Sequence, residues 1–192
     1  MTTRRDFLKT MTMASAGLAL GTGDLLGAPI SVSQRKAAAD KVKIAYVGIG
    51  NRGEQIIGDF ARTGMVEVVA LCDVDMGAPH TQKVMNMYPK AKRFRDFHQM
   101  FDKAGNDFDA VAIATPDHSH FPITMLALAS GKHVYVEKPL ARTFYEAELL
   151  MQAALKRPNL VTQVGNQGHS EANYFQFKAW MDAGIIKDVT AV

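Results

Sequence analysis

Residues 42–53, VKIAYVGIGNRG, run an apolar β-branched stretch straight into three glycines in G-x-G-x-x-G register: Gly48, Gly50 and Gly53. The next stretch, RGEQIIGDFART, sets Ile56, Ile57 and Phe60 on one face of a helix. A strand, a glycine turn and a helix in immediate succession admit few folds, because the helix must pack back on the strand it has just left. Each glycine then has its own task. Gly48 permits the tight turn, Gly50 lets backbone approach a pyrophosphate, and Gly53 lets the helix lie against the strand. The helix start offers unpaired N–H groups and a partial positive charge to phosphates.

The same alternation continues along the chain. Apolar runs at VEVVALCDV, FDAVAIAT, KHVYVEK and LVTQVG, with a short one at KRF, are separated by segments of helical period. Strands that alternate with helices at this spacing predict an α/β fold with a doubly wound parallel sheet and right-handed crossovers. The near-continuous apolar character of the strands fits a sheet covered on both faces. A hydrophobic content of 47% supplies enough side chains for such a core. The one cysteine, Cys72, leaves no room for an intrachain disulfide and reads as a buried strand residue. Residues 40–168 account for the layered unit. The helix EANYFQFKAWMDAG, ended by Gly184, and the stretch DVTAV, read as the start of a strand, look like entry into a second α/β domain at 169–192.

Asp73 falls 20 residues beyond Gly53, at the end of the second strand. A carboxylate there can hydrogen-bond adenosine ribose hydroxyls and would repel a 2′-phosphate. No arginine follows closely in DVDMGAPH, so NAD is expected over NADP.

Charge argues against a polyanionic partner. The chain carries a net charge of +3, but residues 1–39 hold five of its 22 Lys and Arg and two of its 19 Asp and Glu. The remaining body has 17 of each, and no basic patch for nucleic acid stands out. The basic segment is itself informative. TTRRDFLK, residues 2–9, precedes a short, weakly apolar Ala/Gly-rich run interrupted by Asp24, too weak for a stable membrane span. It resembles a twin-arginine export signal, with an A-x-A cleavage site near Ala39. Export by the twin-arginine machinery to the periplasm or beyond is the expectation.

Two further strings sit at strand ends, where ligands bind in open parallel sheets. AIATPDHSH ends the fourth long run with Thr115 and Pro116 placed to line a cofactor, and Asp117 or Ser119 placed to cap the next helix. His120 is a candidate for proton transfer at the cofactor edge. With His118 and Asp117 it lacks a second cluster at metal spacing, and no metal is expected. HVYVEKPL then puts Glu137 and Lys138 directly after an apolar strand, with Pro139 ending it.

Together VGIGNRG, ATPDHSH, GKHVYVEKPLA and VGNQGHS resemble the Gfo/Idh/MocA family of oxidoreductases across nearly all of 41–192. The resemblance implies a Rossmann nucleotide-binding domain followed by a second α/β domain that supplies most of the substrate pocket. It also implies that Gly48, Gly50, Asn51 and Arg52 hold the pyrophosphate and that Asp73 holds the ribose. Thr115, Pro116 and His120 would border the cofactor. Glu137 would lie near the nicotinamide ribose, Lys138 would reach the reacting hydroxyl, and Gln163, Asn166 and Gln167 would line the nicotinamide end. The implied activity is hydride transfer between a carbohydrate or cyclitol hydroxyl and NAD, in a protein that forms homo-oligomers when complete. Most of the second domain would lie beyond Val192. The alternatives are an NAD-dependent glycosidase of the same family and a non-catalytic nucleotide-binding fragment.

Overall fold

The computed structural model describes residues 41–191, so the twin-arginine-like leader lies outside the described residues. Six strands form one parallel sheet: β1 (Val42–Val47), β2 (Val66–Cys72), β3 (Lys92–Phe94), β4 (Ala110–Ile113), β5 (His133–Glu137) and β6 (Thr162–Gly165). Their spatial order is β3-β2-β1-β4-β5-β6, and every pairing is parallel. The chain winds outward one way from β1 through β3, then crosses back to β4 and winds the other way. The reversal falls between β1 and β4, where such sheets open a crevice at their carboxyl ends.

The helices follow their apolar faces onto the two sides of the sheet. On one side, Ile56 and Ile57 of α1 (Arg52–Arg62) and Val84 and Met85 of α2 (Pro79–Met87) pack against Ile44 and Tyr46 of β1. On the other, Ala45 and Val47 meet side chains from three helices, α3 (Phe97–Ala104), α4 (His120–Ala129) and α5 (Phe144–Leu155). Met100, Ile123, Leu128 and Leu150 are among these side chains. Successive β1 side chains alternate between the two cores, as strand geometry requires. Full burial of each Leu or Ile contributes about 1.5–3 kcal/mol.

Helix α5 starts at a capping box. Thr143 Oγ1 accepts from the Glu146 N–H at 3.2 Å, and Glu146 Oε2 accepts from the Thr143 N–H at 3.1 Å. Helix α4 is capped differently from the sequence expectation. Neither Asp117 nor Ser119 makes a side-chain cap bond, because residues 117–119 form a 3₁₀ turn that runs directly into the helix.

The last helix, α6 (Ala172–Asp182), has no buried residue. It ends at Gly184, whose φ of +67° suits glycine. The strand expected over DVTAV does not form at 188–191. Asp188 takes a φ of +54°, which breaks an extended run, and no neighbouring strand pairs with this segment among the described residues. No helix among the described residues is long and apolar enough to cross a membrane.

Candidate cofactor and active site

The loop after β1 is built so that only glycine fits at two of its three positions. Gly48 has φ +82°, and a Cβ there would stand 2.6 Å from the Ala114 carbonyl carbon and oxygen of the neighbouring strand end. A Cβ on Gly53 would stand 2.0 Å from the Gly48 carbonyl oxygen, so α1 can start where it does only without a side chain. Gly50 differs. Its missing Cβ would meet the His80 ring at 2.3 Å, so in this structure an imidazole occupies that approach. Asn51 also has a positive φ, +46°.

Gly48, Gly50 and Asn51, but not Gly53, line a cavity of about 560 Å³ at the carboxyl edge of the sheet. Gly48, Gly50, Asn51, Arg52, Asp73, Thr115 and Pro116 all border it, as expected from the sequence, and so do His80, Arg95, Phe97 and His118. Asp73 is held by backbone: its Oδ2 accepts from the Ile49 N–H and its Oδ1 from the Asp75 N–H, both at 2.9 Å. That ties the carboxylate ending β2 to the glycine turn. Thr115 Oγ1 is buried with no hydrogen-bond partner among the described residues. Cys72 also borders the cavity. Its thiol is pushed up to about 12, by burial first and then by the charges of Asp73 and Asp96, which keeps it a thiol.

Of the remaining expected residues, Glu137 and Gln167 meet one strand further on. Glu137, 5% exposed, ends β5. Its Oε1 accepts from Arg52 Nε at 3.1 Å, Arg52 Nη2 at 3.0 Å, Tyr135 Oη at 3.2 Å and Gln167 Nε2 at 2.6 Å. Gln167 Nε2 also donates to Tyr135 Oη at 2.6 Å. Burial works to raise the Glu137 carboxyl. The bonds from Arg52 and Gln167, the guanidinium charge and the Lys138 N–H outweigh it and hold the group below its ordinary value. Burial and the adjacent Glu137 carboxylate push the Tyr135 hydroxyl up.

Three of the expected residues are engaged with other groups of the protein. Arg52, expected with the glycines at the pyrophosphate, has its guanidinium on Glu137, and its Nη1 donates to Gln55 Oε1 at 2.8 Å. Gln163 turns its amide onto the Val164 carbonyl at 2.6 Å. His120, expected to transfer protons, is 1% exposed and does not border the cavity. Its Nδ1 faces the Pro139 carbonyl at 2.6 Å and its Nε2 the Thr115 carbonyl at 2.8 Å. The ring thus braces the end of β4 to the Lys138–Pro139 turn. Asn166 follows β6 at the surface, beside Gln167.

Lys138 is exposed, and among the described residues its ammonium makes no hydrogen bond or ion pair. Only its backbone N–H meets Glu137, at Oε2, 3.3 Å away. The Lys138–Pro139 peptide is cis.

Sequence reasoning did not single out Tyr135 or Gly165. Tyr135 lies two residues before Glu137 on the same strand, hence on the same face, and that alternation was a usable signal. Gly165 is directly opposite Glu137 in the β5–β6 register, which no local pattern reveals.

Residues 42–165 match the family model described as an oxidoreductase family with an NAD-binding Rossmann fold. An inositol 2-dehydrogenase from Salmonella typhimurium is 31% identical over 147 residues, 76% of this chain and 43% of that protein. A glycosyl hydrolase family 109 protein from Shewanella pealeana is 31% identical over 167 residues, covering 79% and 36%. A scyllo-inositol dehydrogenase from Lactobacillus casei, solved with NAD(H) and scyllo-inositol, superposes with a TM-score of 0.67 at 29% identity, covering 79% of this chain and 44% of that one. The chain therefore spans less than half the length of the curated relatives it matches. The glycine turn, the acid closing β2 and the Glu-Lys-Pro turn all lie in or beside the matched segment, at the carboxyl edge of a six-stranded parallel sheet, and the chain belongs to the Gfo/Idh/MocA family of NAD-binding oxidoreductases.

Proposed function

We propose that this protein transfers hydride between a carbohydrate or cyclitol hydroxyl and NAD, with Lys138 as the residue that meets the hydroxyl. The observation that carries the reading is the Lys138 ammonium, unpaired among the described residues and directly after β5, at the carboxyl edge of the sheet where the glycine turn and Asp73 also lie. The residues present fit a dinucleotide. Side chains are sterically excluded at Gly48 and Gly53, and the unpartnered Thr115 Oγ1 awaits a polar group. When bound, NAD supplies a nicotinamide ring that accepts or returns the hydride.

The chain's own residues do the rest. Gly48, Gly50, Asn51 and the Arg52 backbone at the start of α1 receive the pyrophosphate, with His80 moving off Gly50. Asp73 receives the ribose hydroxyls, and its negative charge disfavours a 2′-phosphate. Thr115 and Pro116 form the cavity wall, while Glu137, Gln163, Asn166 and Gln167 border the nicotinamide end. Lys138 donates a hydrogen bond to the substrate oxygen, and a partner base takes the hydroxyl proton as hydride leaves. His120 positions the Lys138 turn and the Thr115 carbonyl. Residues 169–192 lead toward the substrate-binding part of the protein, which assembles as a homo-oligomer. The arginine pair at 4–5 directs export to the periplasm with the cofactor already loaded.

Lys138→Ala is expected to retain NAD binding by calorimetry while losing hydride transfer from inositols and related polyols by ~10²-fold or more. Wild-type turnover in that variant would remove the lysine from the chemistry. The family 109 relative favours a second reading, a glycosidase that uses NAD transiently. Release of an aryl leaving group from a glycoside without net NAD reduction would select it.

A further inference from the structure

His80 borders the cavity although no motif in the sequence points to it. It sits in the first turn of α2, directly after Pro79. Its ring lies against Gly50: a Cβ on that glycine would stand 2.3 Å from His80 Cδ2, 3.3 Å from Cγ and 3.4 Å from Nε2. At Gly48 and Gly53 the corresponding space is closed by backbone, so of the three glycines only Gly50 is covered by a side chain. Gly50 is also the position whose missing side chain lets a pyrophosphate reach the turn. An imidazole and a pyrophosphate cannot share that space. Lys83, one turn further along the same face of α2, bonds Glu54 in the first turn of α1, the helix that the glycine turn opens. The ring itself is held loosely. Its Nε2 is 3.9 Å from Asp75 Oδ2, beyond hydrogen-bond distance, and the side chain is 39% exposed. It can leave Gly50 by rotating about its own bonds while α2 stays joined to α1.

We propose that the His80 imidazole is a built-in occupant of the pyrophosphate position, which a dinucleotide must displace to bind and which therefore lowers its affinity. The inference rests on the dinucleotide reading of the glycine turn. Only the fraction of molecules with the ring swung away can receive the phosphates, and apparent affinity falls by that fraction. The histidine thus opposes binding at Gly50 without touching the backbone that forms the turn.

Two measurements on the full chain test it. In the protein free of nucleotide, proton NMR should show a nuclear Overhauser effect between His80 Hδ2 and the Gly50 α-protons, and saturating NAD should abolish it. Its absence from the free protein, or its survival in the complex, overturns the proposal. By calorimetry, His80→Ala should bind NAD about threefold or more tighter than wild type, because the occupant is gone. His80→Phe keeps a ring at the position and should bind no tighter than wild type. Circular dichroism checks that both variants are folded. Unchanged or weaker binding by His80→Ala, or equal tightening by both variants, overturns the occupant while leaving the dinucleotide reading in place. No NAD binding by wild type and by His80→Ala alike overturns the dinucleotide reading and this inference with it.

Discussion

Gly165 shows how one hydrogen atom in place of a methyl group shapes a site. It faces Glu137 across the β5–β6 ladder, and a Cβ would stand 2.7 Å from Glu137 Oε1, 2.7 Å from Tyr135 Oη and 3.0 Å from Gln167 Nε2. Gly165→Ala must therefore displace a buried, fully bonded acceptor. We expect a loss of about 1–3 kcal/mol in denaturant unfolding, the usual cost of overpacking. Equal stability to wild type would mean that the cluster shifts freely. Gly50 is the milder case, because the atom in its way belongs to the His80 ring, which can rotate aside. The G-x-G-x-x-G string was legible from spacing alone, but it could not say which glycines are pinned by backbone and which by a movable side chain.

The elements were the most legible part of the chain, because each has a local cause. Short, near-continuous apolar runs marked the six strands, and segments of helical period marked the helices between them. Helix α5 has the clearest start signal: Thr143 and Glu146 form the reciprocal capping box, and Glu146 Oε2 also accepts from the Arg142 N–H at 3.0 Å. Thr143→Ala should cost about 1 kcal/mol of stability, read as a lower urea midpoint at unchanged slope. No change would show that the Glu146 half of the box suffices. DVTAV failed as a strand for the complementary reason. Its composition suits β structure, but a strand needs a neighbour to bond, and none of the described residues provides one.

At the scale of the molecule, Glu137 joins parts of the chain that the sequence keeps far apart. Through Arg52 it ties α1 to β5, and through Gln167 it reaches past β6. Its carboxyl is held below the ordinary value of 4.5 in the folded protein. A group depressed on folding adds stability that is fully present above its unfolded value and is lost as pH falls through the folded one. Glu137→Gln should therefore cost about 1–3 kcal/mol at neutral pH, as loss of hydrogen bonds to a charged acceptor does. The gap from wild type should shrink as pH drops below 4.5, in urea titrations run at a series of pH values. A gap independent of pH would mean that the carboxylate's charge contributes nothing.

Local chemistry in the sequence was enough for the strand–helix alternation, the glycine turn, the acid that closes β2 and the charged pair that closes β5. Each of these is set by residues near one another in the chain. Only the tertiary structure decided what the charged pair does. Glu137 bonds to Arg52, because parallel strand order brings the first helix and the fifth strand to the same edge of the sheet. His120 is placed for the same reason: both its ring nitrogens face backbone carbonyls that only the fold brings together.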